Sequence, residues 1–258
     1  MLHPRAVSRL VLAAALCALL CGCQKPLEAR LQAGDAAARA GKWGVARTQW
    51  AEATQLDPHS AVAQAKLGVA LYELGLKDEA ASAWSAAVAI DPNAEDPVSS
   101  LALLDLEHLD AGAAVDRLRL VQGPVSVSFN RVLAQALLAR GAPDDAAAAL
   151  VAAGKAAAVS PGDPQNEYLV GSAQIALRRF SDAQGTLEEL QRKHPNLPLG
   201  SYGLARLAAA QNRQTDALLH LSAARAAAGS GWNPDRVAVD PAFVFLTPAP
   251  EFKALVSK

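Results

Sequence analysis

An all-α chain built from tandem helix pairs is the fold class this sequence predicts, and three observations predict it. Alanine supplies 59 of the 258 residues. Aromatic residues are only 5% of the chain, and strand-favouring side chains are few. Alanine is the strongest helix former and lets helices approach closely, whereas a sheet needs the β-branched and aromatic residues that are scarce here. The third observation is a spacing. Asp57-Pro58 returns as Asp91-Pro92, Trp50 as Trp84, Ala46 as Ala80, Ala53 as Ala87, Gly34 as Gly68 and Gly41 as Gly75, each 34 residues on.

The N-terminal segment comes first. Arg5 and Arg9 precede an uninterrupted run of small and apolar residues from Leu10 to Leu20. A helical span of a bilayer core needs about 20 apolar residues, so this run fits the apolar part of a secretory signal instead. Leu20-Cys21-Gly22-Cys23 follows, then polar Gln24-Lys25. This resembles a bacterial lipoprotein signal: a leucine, a small residue, and the cysteine that receives the lipid, here Cys23. The resemblance implies a signal over residues 1–22, a lipidated tether over 23–26 and acyl chains enough for stable anchoring. Gln24, where aspartate would retain the protein in the inner membrane, implies the periplasmic face of the outer membrane. The three cysteines are Cys17, Cys21 and Cys23, so neither a disulfide framework nor a cysteine nucleophile exists downstream.

The repeating region is expected over 27–231, in units 27–60, 61–94, 95–126, 127–163, 164–197 and 198–231. Each landmark has a mechanical reason. A small residue at position 8 of the unit (Gly34, Gly68) allows close helix approach. Glycine at position 15 (Gly41, Gly75) takes positive φ and ends the first helix. Alanine at position 20 marks a helix crossing, tryptophan at position 24 fills it, and proline at position 32 stops the second helix. The first two units carry the pattern best. The third is short, with Leu101, Ala102 and Ala114 in place but Gly112 displaced. This pattern resembles the tetratricopeptide repeat, a helix-turn-helix of the same length. The resemblance implies a right-handed α-solenoid of about six helix pairs. Residues 232–258, with Asp240-Pro241-Ala242-Phe243 and Phe252, are expected to cap the open end of the array.

The resemblance also implies a partner-binding wall on the first helix of each unit, at positions 2, 5, 9, 12 and 13. Carried over to this sequence, its main candidates are Tyr72, Leu103, Leu106, Arg131, Leu138, Tyr168, Ile175, Tyr202 and Arg206. All three tyrosines fall on this set, and tyrosine suits binding surfaces because it joins apolar area to a polar tip. The alternative is that a tyrosine packs on neighbouring helices or on the C-terminal tail. The lysine and asparagine clamp that some relatives use for peptide carboxylates is missing, since Leu31, Asp35, Ala65 and Val69 stand at those positions. Tyrosine, leucine and isoleucine instead suit an amphipathic helix or an extended apolar peptide.

Catalytic and metal chemistry find no support. The five histidines lack i, i+4 pairs, and Gly171-Ser172 and Gly200-Ser201 lack the context of a nucleophile elbow. A net charge of −1 argues against nucleic acid. The expectation is a non-enzymatic, outer-membrane-anchored scaffold or assembly factor, with no cofactor and no small-molecule substrate, whose partners are proteins or peptides at the membrane surface. A lipid anchor joined to six such repeats is similar to the pilotin lipoproteins of type IV pilus systems. A soluble periplasmic peptide carrier is the other reading.

Overall fold

The computed structural model describes residues 26–257. Cys23 and the whole signal segment lie outside them. Fourteen helices follow one another, and no strand occurs among the described residues. The first, α1, covers residues 26–39. Then come α2 (Trp43–Leu56), α3 (Ala61–Glu73), α4 (Lys77–Ile90), α5 (Glu95–Glu107) and α6 (Ala111–Leu118). They are followed by α7 (Val127–Arg140), α8 (Asp145–Val159), α9 (Pro164–Ala176), α10 (Phe180–Lys193), α11 (Pro198–Ala210) and α12 (Gln214–Ala228). Short helices α13 (Pro234–Ala238) and α14 (Pro250–Val256) flank a 3-10 turn at Pro241–Leu246. The fold is an α-solenoid of tandem helix pairs, in which the odd-numbered helices from α1 to α11 are the first (A) helices and the even-numbered ones the second (B) helices.

The chain forms two compact units. One holds residues 26–105 with 117–122, and the other residues 106–116 with 123–257. The first is cemented by two copies of one contact. Trp50 and Trp84 are 3% and 4% exposed, and each indole N–H donates to an A-helix carbonyl, Leu31 O at 3.3 Å and Ala65 O at 3.1 Å. Leu31 and Ala65 are themselves 34 residues apart. Gly34 and Gly68 make room for the ring: a Cβ on either would lie 2.3 or 2.4 Å from the indole nitrogen. Position 20 is sealed in five of the six repeats, with Ala46, Ala80, Ala114, Ala183 and Ala217 fully buried, while Ala146 in the fourth is half-buried.

The chain reverses between A and B helices through one residue with positive φ. Position 15 carries it in all six repeats: Gly41, Gly75, Leu109, Gly141, Arg178 and Asn212, at 58–79°. The third repeat therefore keeps its register through Leu109, and Gly112 has no part in the turn. Its shortness comes later. Its B helix, α6, has 8 residues where α2 and α4 have 14. It ends on Leu118, at position 24, and that side chain is 1% exposed. Repeat entries are fixed by caps: Ser60 accepts from Ala63 N, Ser126 from Phe129 N, and Asp163 from the N–H groups of Gln165 and Asn166.

After α12 the chain folds back on the last pair. Phe243, Leu246 and Phe252 are at most 2% exposed and pack with Ala205, Ala208, Ala209, Ala217 and Leu221. Burying each phenylalanine contributes about 1.5–3 kcal/mol. Trp232 Nε1 donates to Leu255 O at 3.0 Å and Arg225 to Ala254 O at 2.8 Å, which ties both ends of the segment to α12 and to each other.

Candidate docking faces of the A helices

In the first unit, α3 and α5 present apolar side chains to solvent. Val62 is 55% exposed, Val69 37% and Leu103 42%. They hold positions 2, 9 and 9 of their repeats, so side chains at the expected wall positions stand free of the core. Tyr72, at position 12, is half-buried: its ring lies 5.8 Å from that of Trp84, and Lys77 Nζ sits 5.5 Å above it. Lys66 bridges α3 to α1 through Asp35 at 2.6 Å and also lies over Trp50.

The second unit differs. Here the wall positions are largely occupied by the protein's own contacts. Arg131 on α7 donates from Nε to Asn166 Oδ1 at 3.1 Å and from its terminal nitrogen to Asp163 at 2.9 Å. Asn166 is fully buried and donates to Ala156 O at 3.2 Å, so Arg131 fastens the loop between α8 and α9. Tyr168 accepts from Arg206 at 3.3 Å. Tyr202 donates to Asp240 Oδ2 at 2.6 Å and meets Phe243 edge-on, with centroids 5.6 Å apart. Arg206 Nε lies 3.6 Å from the same carboxylate oxygen. The C-terminal segment thus places Asp240 against Tyr202 and Arg206 of α11, and Arg206 carries the cluster on to Tyr168 of α9. Burial, reinforced by the Asp240 carboxylate, raises the Tyr202 pKa well above its ordinary 10.0, so the phenol remains a donor. Burial alone would lower the Arg206 pKa; the facing Tyr168 and Asp240 oxygens outweigh it and raise it.

The other expected wall residues fall elsewhere. Ile175 packs on the core of α10 and α11. Leu138 lines an open cleft of ≈ 270 Å³ with Gly141, Pro143, Ala146 and Ala176. Leu106 is half-buried. The main feature that sequence reasoning missed is Asp240, the acid that closes the Tyr168–Arg206–Tyr202 cluster. Its sequence signal is the Asp-Pro pair, which the repeats use as a loop stop. Among the described residues there is no group of three or more histidine, cysteine, aspartate or glutamate side chains fit to hold a metal. No described helix is long and apolar enough to cross a membrane.

The tetratricopeptide repeat profile matches residues 31–95 and 168–231, leaving out the short third repeat and the fourth. Among solved structures, the chain is similar to PilF of Pseudomonas aeruginosa, at 17% identity and a TM-score of 0.63, covering 82% of this chain and 95% of that one. It is similar to PilW, described as a widely conserved type IV pilus biogenesis factor, at 13% identity and a TM-score of 0.63, covering 90% and 98%. It is also similar to YrrB, described as a repeat protein with an unusual peptide-binding site, at 14% identity and a TM-score of 0.56, covering 69% and 91%. No curated protein matches the sequence. At these identities the structural likenesses show the fold, while the profile covers half of the chain: the protein belongs to the tetratricopeptide repeat family.

Proposed function

We propose that this protein is a non-enzymatic assembly scaffold, anchored through a lipid on Cys23 to the periplasmic face of the outer membrane, and that it captures protein partners on its first unit. The carrying observation is the exposure of Val62, Val69 and Leu103 at wall positions. Solvent-facing apolar side chains at these positions match an amphipathic helix or an extended apolar segment. In the second unit Tyr202 and Arg206 are engaged by the C-terminal segment and Arg131 by the loop between α8 and α9, which leaves the first unit as the freer face.

A photoreactive amino acid at position 69 or 103 in the native cell, with mass spectrometry of the adducts, tests this. A specific partner is expected at both positions and not at Val151, which is 58% exposed but lies on the B helix α8. Equal adduct patterns at all three sites would refute the docking face. Metabolic lipid labelling with a Cys23→Ala control tests the anchor: label retained in the variant refutes lipidation at Cys23. If the native protein takes no label and fractionates as soluble, the peptide-carrier reading takes over.

The pilotin-like reading, assistance to secretin or type IV pilus assembly, is favoured by one further observation. PilF and PilW, the latter a type IV pilus biogenesis factor, are matched over 95% and 98% of their own length, so the likeness spans nearly the whole of each chain. Loss of secretin multimers on deletion would support it, and normal multimers would remove it.

A further inference from the structure

We propose that the junction between α1 and α2 is a docking patch for an anionic phospholipid surface, which lays the first helix along the membrane. The proposal rests on the lipid-anchor reading above and adds an orientation to it. Arg39, Lys42 and Arg47 are all exposed, and none makes an ion pair with another described residue. Residues 36–51 contain no acidic side chain. Val45 beside them is 51% exposed, and half-buried Trp43 packs against the core at the same turn.

The repeat itself supplies the control. Thirty-four residues on, the places of Gly44 and Val45 are taken by Asp78 and Glu79. The other A–B turns are likewise balanced by acids, with Asp110 before α6, Asp145 in α8, Asp182 in α10 and Asp216 in α12. Only the first turn keeps its cations and drops the acids, and it lies in the repeat next to Cys23.

Distance allows the contact. Residues 24–26 span at most about 10 Å, and the 14 residues of α1 span about 21 Å. Surface charges act over a Debye length of about 8 Å. Standing upright on its tether, α1 would hold the patch out of range. Lying flat, it brings Arg39, Lys42 and Arg47 to the headgroups while the tether stays relaxed. Each basic residue near an anionic surface strengthens binding roughly fivefold, so three give about a hundredfold. That is weak alone and sufficient to orient a chain already anchored.

The test uses residues 24–258 without lipid, which carry every described helix. The chain should sediment with vesicles of phosphatidylethanolamine and phosphatidylglycerol at about 50 mM NaCl, come off at about 500 mM, and ignore phosphatidylcholine vesicles. Arg39→Glu/Lys42→Glu/Arg47→Glu should weaken binding by about a hundredfold or more. Gly44→Asp/Val45→Glu, which restores the acids of the second repeat at a position where a side chain at Gly44 meets nothing within 4 Å, should weaken it while keeping the cations. Arg178→Glu/Arg179→Glu at another turn should leave it unchanged. No sedimentation with anionic vesicles, equal binding to phosphatidylcholine, or binding that survives both patch variants in folded protein overturns the proposal. A vesicle result as expected beside an unlabelled Cys23 would reject the anchor and keep the patch.

Discussion

Gly68→Ala places a methyl group where the ring of Trp84 lies. The added Cβ would be 2.4 Å from Nε1 and 2.5 Å from Cδ1, against an ordinary contact of about 3.5–4 Å. The ring cannot swing aside freely, because it is 4% exposed and donates to Ala65 O at 3.1 Å. Overpacking of this kind costs about 1–3 kcal/mol. Losing the indole hydrogen bond adds about 1 kcal/mol, and alanine's better helix propensity returns about 1 kcal/mol. The net expectation is a destabilisation of about 1–3 kcal/mol.

Gly154→Ala provides the opposite sign. Gly154 lies inside α8 and a Cβ there meets nothing within 4 Å, so only the propensity gain of about 0.5–1 kcal/mol remains. Urea unfolding followed by circular dichroism, with tryptophan fluorescence as a probe near the site, measures both. The repeats also suggest the rescue. Position 8 and position 24 pair as glycine with tryptophan in the first two repeats, and as Ala102 with Leu118, Ala134 with Leu150 and Ala205 with Leu221 elsewhere. The fifth pairs Gly171 with Leu187, which is also pressed against Gly203, where a Cβ would stand 2.4 Å away. A Gly68→Ala/Trp84→Leu double variant should therefore be less destabilised than the two single effects added, by about 1–2 kcal/mol of coupling. Gly68→Ala as stable as wild type, or stabilised alongside Gly154→Ala, would refute the reasoning.

Leu109→Gly should raise stability by about 1 kcal/mol in the same assay, because Leu109 holds φ at 62° with its side chain 91% exposed and therefore bears strain without packing gain. Asn166→Ala should cost about 1–3 kcal/mol by stranding the Ala156 carbonyl and one Arg131 donor; hydrogen exchange should quicken first in the loop between α8 and α9. Phe243→Ala should cost about 3–5 kcal/mol and should expose α11 and α12 to limited proteolysis before the first unit. Burial lowers the His220 pKa below its ordinary 6.5, so the unfolded chain protonates first as pH falls. Stability from this group is full above the unfolded value and declines as pH drops through 6.5 toward the folded value, and His220→Gln should flatten that part of the pH profile measured by urea midpoints.

The repeats were legible because one physical demand recurs at one spacing. Wherever two helices cross tightly the sequence needs alanine or glycine, and the same demand at Ala46 produces Ala80, Ala114, Ala183 and Ala217. The turn position was legible only where glycine or, at Asn212, asparagine marks it. Leu109 and Arg178 meet the same backbone requirement with residues that carry no signal for positive φ. The wall was hardest to read, because position alone says which way a side chain points and not what else arrives. Tyr202 and Arg206 stand at wall positions, but Asp240 reaches both from a segment outside the period. A repeat pattern predicts contacts between repeats, and a tail that folds back obeys no such rule. The same logic separates the two candidate surfaces of the first unit. Val62, Val69 and Leu103 are exposed at positions where the period expects a partner, whereas Arg39, Lys42 and Arg47 stand out because the first repeat lacks the acids its sequel has at Asp78 and Glu79. A departure from the period in the repeat closest to the proposed anchor points to a demand that the other repeats do not share, and proximity to a charged surface is such a demand.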